Sequence, residues 1–193
     1  VQLTGLVADI TPKSLTISGA AVSNKVYDAT TAATMSGTLN GVISADINDI
    51  SLTRAGDFSQ ANVGNCLAVT AAYAIGGSAA GNYTLIQPTG LSANITSKTL
   101  TIVGAAIANK VYDGTNVASF SAGVLTGVVG SDAASLTLTE LATFSRAGVG
   151  NNLVVTAANT ISGPAASNYT LVQPTGLTAN ITAAPLGIEI IGI

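Results

Sequence analysis

The residues with the most chemical potential are a lysine, a tyrosine and an aspartate set close together. Lys25-Val26-Tyr27-Asp28-Ala29-Thr30 offers an ammonium, a phenol and a carboxylate within four positions. Lys110-Val111-Tyr112-Asp113-Gly114-Thr115 offers the same set 85 residues later. Two chemistries suit such a cluster. One is a polar notch that holds a ligand. The other is a self-satisfying turn, in which Asp28 or Asp113 accepts the N–H two residues on, Thr30 or Thr115 supports it, and the tyrosine buries its ring. On a regular strand Lys25 and Tyr27 share a face, as do Lys110 and Tyr112, so the lysine stem is expected to cover the ring while its ammonium stays in water. Ala29 stands where the second copy has Gly114, which argues against a strictly left-handed turn there. Recurrence once per repeat favours the structural role.

Catalysis has little to work with. The chain has no histidine, so the usual base for a serine or cysteine nucleophile is missing. Glu140 and Glu189 are the only glutamates, and neither recurs. Asp28 and Asp46 recur as Asp113 and Asp132, yet nothing in their spacing sets a distance for paired-carboxylate chemistry. No phosphate-binding glycine loop with its lysine is present. The expectation is a protein that is not an enzyme, with no catalytic residue, cofactor or metal. A weak calcium site would need several oxygens in one loop, and Asp46, Asp49 and Asp57 come nearest to that. The counterpart of Cys66 in the second copy is Asn152, so the thiol has no repeated role, and as the single cysteine it forms no intrachain disulfide.

The elements that carry these residues are repeated as a whole. Asn82-Tyr83-Thr84-Leu85 returns as Asn168-Tyr169-Thr170-Leu171, 86 residues later. The extra residue falls in Ser121-Ala122-Gly123-Val124-Leu125, which matches Ser36-Gly37-Thr38-Leu39. A Gly-Leu-x-Ala-x-Ile-Thr segment occurs three times, ending at Thr11, Thr96 and Thr182. The boundaries follow: residues 1–11 as the tail of a preceding repeat, 12–96 and 97–182 as two complete modules, and 183–193 as the start of a following one. The chain reads as a piece of something longer.

Composition agrees with a folded, weakly charged repeat. Of the 193 residues 48% are hydrophobic, against only 8% charged, with a net charge of -3. The six basic residues form no run, which disfavours nucleic acid and an anionic membrane surface. No apolar run is long enough to span a membrane as a helix.

The local patterns are those of strands. Residues 14–17, 49–53 and 135–139 alternate polar with apolar, and 152–156 and 169–172 are β-branched enough for central strands. Turn signals recur at Val63-Gly64-Asn65 and Val149-Gly150-Asn151, and at Gly76-Gly77-Ser78 and Ser162-Gly163-Pro164. Short helices fit residues 41–48 and 127–134. Asn82, Asn94, Asn168 and Asn180 have the glycan-acceptor pattern, although turn capping explains them as well. The expected fold is all-β or β-dominated: two small tandem modules, each a β-sandwich or a β-grasp-like unit, arranged end to end.

These modules resemble the YDG-type repeat, related to the MBG repeats of large bacterial surface proteins. The likeness rests on Lys110-Val111-Tyr112-Asp113-Gly114-Thr115, Val149-Gly150-Asn151 and Asn168-Tyr169-Thr170-Leu171, with Ala29 departing from the motif in the first copy. The resemblance implies a secreted or cell-surface bacterial adhesin, similar to filamentous haemagglutinin-like exoproteins, in which such repeats form a stalk. Expected partners are neighbouring repeats, with like stalks, host glycan or host protein as alternatives. Its expected structural residues are Lys25, Tyr27, Asp28, Thr30 and Tyr83, then Lys110, Tyr112, Asp113, Gly114, Thr115 and Tyr169.

Overall fold

The computed structural model describes Gly5 and residues 7–187. Residues 1–4, 6 and 188–193, which fall in the segments expected to be partial repeats, lie outside the described residues. The chain divides into two compact units, Val1–Thr96 and Ser97–Ile193. Both are almost entirely β, as the alternating and β-branched stretches require.

The first unit contains β1 (Lys13–Val22), β2 (Lys25–Val26), β3 (Met35–Asn40), β4 (Ser51–Thr53), β5 (Gly56–Phe58), β6 (Gly64–Ala71), β7 (Ala74–Gly76), β8 (Tyr83–Leu85) and β9 (Leu91–Thr96). The second contains β10 (Lys98–Ile107), β11 (Lys110–Val111), β12 (Val117–Ala118), β13 (Phe120–Thr126), β14 (Thr137–Thr139) and β15 (Ala142–Phe144). It continues with β16 (Gly150–Ala157), β17 (Thr160–Ser162), β18 (Tyr169–Val172) and β19 (Thr178–Thr182).

The two units share one topology. The sheet order β3-β1-β8 matches β13-β10-β18, and β2-β9-β6-β5 matches β11-β19-β16-β15, to which β12 adds a further edge. A two-stranded ribbon, β4-β7 or β14-β17, completes each unit. The final strands return parallel to the opening ones: β8 on β1, β9 on β2, and likewise β18 on β10 and β19 on β11. The β-branched run of β16 is central in its sheet, as expected. That of β18 lies at a sheet edge instead, paired only with β10.

Alternation builds the core. In β19 Ala179 and Ile181 point inward, and they pack with Phe144, Leu153, Val155 and Leu177. Their counterparts Phe58, Val69, Ala93 and Ile95 are equally buried. A separate apolar group in the first unit gathers Leu15, Ala79 and Tyr83 against Leu39, Val42, Ile50 and Ile75. Burying each large side chain contributes about 1.5–3 kcal/mol.

The predicted short helices are single 3₁₀ turns, Ser44–Asp46 and Gly130–Asp132. The Val-Gly-Asn turn signal marks a β-bulge rather than a turn. Between the rungs Gly64↔Ile95 and Leu67↔Ala93, Asn65 and Cys66 oppose the single residue Asn94. Gly77 and Gly163, at φ +100° and +110°, are required to be glycine. A Cβ on either would run into the backbone oxygen of Asp49 or Ser135.

Candidate functional site: the lysine-centred loop

The Lys-Tyr-Asp motif leaves a two-residue strand, β2 or β11, whose rungs lie on the end of β9 or β19. Tyr27 N–H donates to Thr96 O at 2.9 Å, and Tyr112 N–H to Thr182 O at 2.8 Å. The chain then turns through a residue at positive φ. Gly114 has φ +81° and Ala29 has φ +64°. The left-handed turn is thus kept in both copies, and Ala29 bears the strain that Gly114 avoids.

The turn folds around the lysine. Lys25 Nζ lies 2.7 Å from Asp28 Oδ1 and donates to Thr30 O and Thr30 Oγ1 at 2.9 Å and to Ala32 O at 3.1 Å. Lys110 Nζ repeats this with Asp113 Oδ1 and Thr115 O at 2.8 Å, and with Thr115 Oγ1 and Val117 O at 3.0 Å. Asp113 Oδ1 also accepts from Thr115 N–H and Oγ1, each at 2.9 Å, and Asp28 does the same for Thr30. Each ammonium stands 5.8 Å from the centroid of a buried ring, Phe58 or Phe144, a cation–π distance.

The expectation of a wet ammonium over the tyrosine ring is therefore corrected. The lysine turns inward because four oxygens converge on it, and the ring beside it belongs to β5 or β15. Its side chain is only 16% exposed at Lys25 and 18% at Lys110. The hydrogen bond from Lys110, with those from Thr115, holds the Asp113 carboxyl at about 2. At Asp28 desolvation pushes upward, but Lys25 and Thr30 outweigh it and the carboxyl also lies below its usual value.

The two motif tyrosines differ. Tyr27 is buried, at 4% exposure, whereas Tyr112 is 46% exposed. The expected burial of the Tyr112 ring does not hold; both tyrosines follow the last rung of a two-residue edge strand, so the strand position alone does not set their burial.

Tyr83 and Tyr169 are buried, and both work through their hydroxyls. Tyr83 Oη donates to Asp46 Oδ2 at 2.6 Å and accepts from Ile43 N–H at 3.2 Å. Tyr169 Oη donates to Asp132 Oδ2 at 2.7 Å and accepts from Val129 N–H at 3.0 Å. Each phenol pins a 3₁₀ turn onto the sheet. The Asp46 hydrogen bond, then burial, raises the Tyr83 pKa; burial, then Asp132, raises that of Tyr169.

Sequence reading missed two further devices. Gln87 returns both backbone bonds of Tyr73, accepting from its N–H at 2.9 Å and donating to its C=O at 2.7 Å. Gln173 does the same for Asn159. The recurrence of Gln-Pro-Thr-Gly at 87–90 and 173–176 was the available signal. In the bulges, Asn94 Oδ1 accepts from Cys66 N–H and Asn180 Oδ1 from Asn152 N–H, both at 2.7 Å. These asparagines hold Cys66 and Asn152 at φ +50° and +49°.

The three aspartates weighed for calcium do not converge. Asp46 serves Tyr83, Asp49 accepts from Ser78 Oγ, and Asp57 accepts from Thr31 Oγ1. Among the described residues no group of three or more histidine, cysteine or acidic side chains could hold a metal ion. One shallow opening of about 390 Å³ is lined by Leu39, Gly41, Val42, Ile47, Ile50 and Leu52, none of which titrates.

A sheet unit that recurs with the same topology and the same signature residues defines a repeat module. The YDG domain family model matches residues 11–90 and again 96–176, and the chain belongs to that family. This membership is consistent with the repeat modules of bacterial adhesin-like proteins. No curated protein and no solved structure matches the chain.

Proposed function

We propose that the two modules, taken as residues 12–96 and 97–182, are stalk repeats of a bacterial surface adhesin, extending a binding region away from the cell. The observation that carries this reading is the fate of the polar motif residues. In both copies the lysine ammonium, the aspartate carboxylate and the threonine hydroxyl of the Lys-Tyr-Asp-x-Thr loop bond to one another, so that the lysine is largely enclosed while the half-exposed carboxylate already has its partners. A binding notch needs its polar groups available to a ligand, whereas a load-bearing repeat needs them closed on itself. Four of the five tyrosines are buried, which also suits a spacer better than an aromatic sugar-binding patch. Secretion to the cell surface and end-to-end stacking of modules belong to the same reading.

Deleting both modules from the parent protein tests it. The reading expects the distal region to keep its target affinity while its distance from the cell surface falls. Loss of target binding by the purified distal region's parent, with the distal region itself intact, would place recognition in these modules instead.

A further inference from the structure

We propose that strand β13 is an edge through which two copies of this chain pair. The inference is independent of the stalk reading and starts from a difference between the two modules. β3 and β13 hold the same place, each bonded to one neighbour at the rim of a three-stranded sheet. An edge strand offers unpaired backbone groups to any other strand, and proteins usually block it with charge or coverage.

The first module blocks its edge. Tyr73 Oη donates to Ser36 O at 2.5 Å, and Arg54 Nε donates to Gly37 O at 3.0 Å. A cation and a phenol thus sit on the carbonyls of β3. In the second module the matching bonds Ala72 N→Ala55 O and Ala158 N→Leu141 O set Asn159 in the place of Tyr73 and Glu140 in that of Arg54. Glu140 is an acceptor and cannot cap a carbonyl. Asn159 Oδ1 accepts from Leu141 N–H instead, and its Nδ2 is buried without a partner. Among the described residues no side chain hydrogen-bonds the carbonyls of Ala122 or Gly123.

The rest of β13 is equally unguarded. Phe120–Thr126 carries no charge, and Ser121, Ala122, Gly123 and Val124 are exposed. Val124 is 65% exposed and opposes Val103, itself 58% exposed, where the first module pairs Thr38 with Ser18. From Val124 to Thr126 the rungs with β10 run without a register shift, as do those of Thr38 to Asn40 with β1, so the two edges differ in the caps on Ser36 and Gly37 and in the exposed valine pair.

The occupant is the β13 of a second copy. Antiparallel pairing about a two-fold axis is self-complementary, so one uncapped edge satisfies another. A net charge of only -3 gives copies little mutual repulsion, while a charged peptide would find no countercharge on the strand.

Sedimentation equilibrium of the 193-residue chain tests this. The chain is expected to form a reversible dimer, and Val124→Lys to weaken it by at least about tenfold. Ala122→Lys, also at an exposed position, is a second probe should the first variant misfold. Thr38→Lys, the same change on the capped edge, is expected to alter the constant by less than about twofold. A chain that stays monomeric up to about 1 mM overturns the proposal. So does a dimer weakened equally by Thr38→Lys, or one unaffected by either β13 variant.

Discussion

Replacing Lys110 by methionine isolates the charge at the centre of the second loop. Methionine keeps most of the stem, so the change removes the ammonium and its bonds to Asp113, Thr115 and Val117 with little loss of packing. A solvent-exposed ion pair contributes about 0–1 kcal/mol. This lysine differs, because its side chain is 18% exposed and four oxygens share its three protons. Three hydrogen bonds of about 1–1.5 kcal/mol each, less about 2 kcal/mol of recovered side-chain entropy, leave a cost of about 1–2.5 kcal/mol. Urea unfolding followed by hydrogen exchange is the assay, since it assigns the loss to one module. Protection of β16 and β19 should fall while that of β6 and β9 is kept, and Lys25→Met should reverse the pattern. Acid titration supplies a second readout. The Asp113 carboxyl sits at about 2 against an ordinary 3.8, so its contribution is complete above 3.8 and is lost as pH falls through about 2. In the methionine variant that acid limb should move up toward 3.8. A loss below about 0.5 kcal/mol, with the acid limb unmoved, would refute the caged-lysine reasoning.

Two further perturbations follow from the loop and the tyrosine pins. Ala29→Gly should stabilise the first module by about 0.5–1 kcal/mol in denaturant unfolding, because relief of left-handed strain exceeds the added freedom of the unfolded chain. Gly114→Ala should cost the second module a similar amount. Tyr169→Phe removes the bonds to Asp132 and Val129 and should lower stability by about 1–3 kcal/mol. The raised pKa of Tyr169 sets the pH window for the same interaction. Its contribution is complete below 10.0 and is lost as pH rises beyond that value, so the phenylalanine variant should show a shallower alkaline decline.

The β class was legible because alternation survives in the sequence: Ala179 and Ile181 point inward two residues apart, as any half-buried strand demands. The repeat was legible because Lys, Tyr, Asp and Thr recur as a set. What the set does was less so. An inward-turned lysine depends on the carbonyls of Ala32 and Val117, and backbone oxygens carry no residue signature. The bulge at Gly64 looked like a turn because glycine and asparagine serve both, and only the partner strand separates them. Tyr27 and Tyr112 share a motif yet differ in burial, which no reading of the motif alone foretells. The Tyr83–Asp46 pair spans 37 residues, so its geometry exists only once β8 lies parallel to β1.

Contour length against copy number tests the stalk account most directly. Chains of two, four and six modules, imaged singly by electron or atomic force microscopy, should lengthen by one constant step per module and show no affinity for glycan or host-protein panels. Particles that grow in diameter rather than in length, or modules that bind such a target on their own, would contradict it.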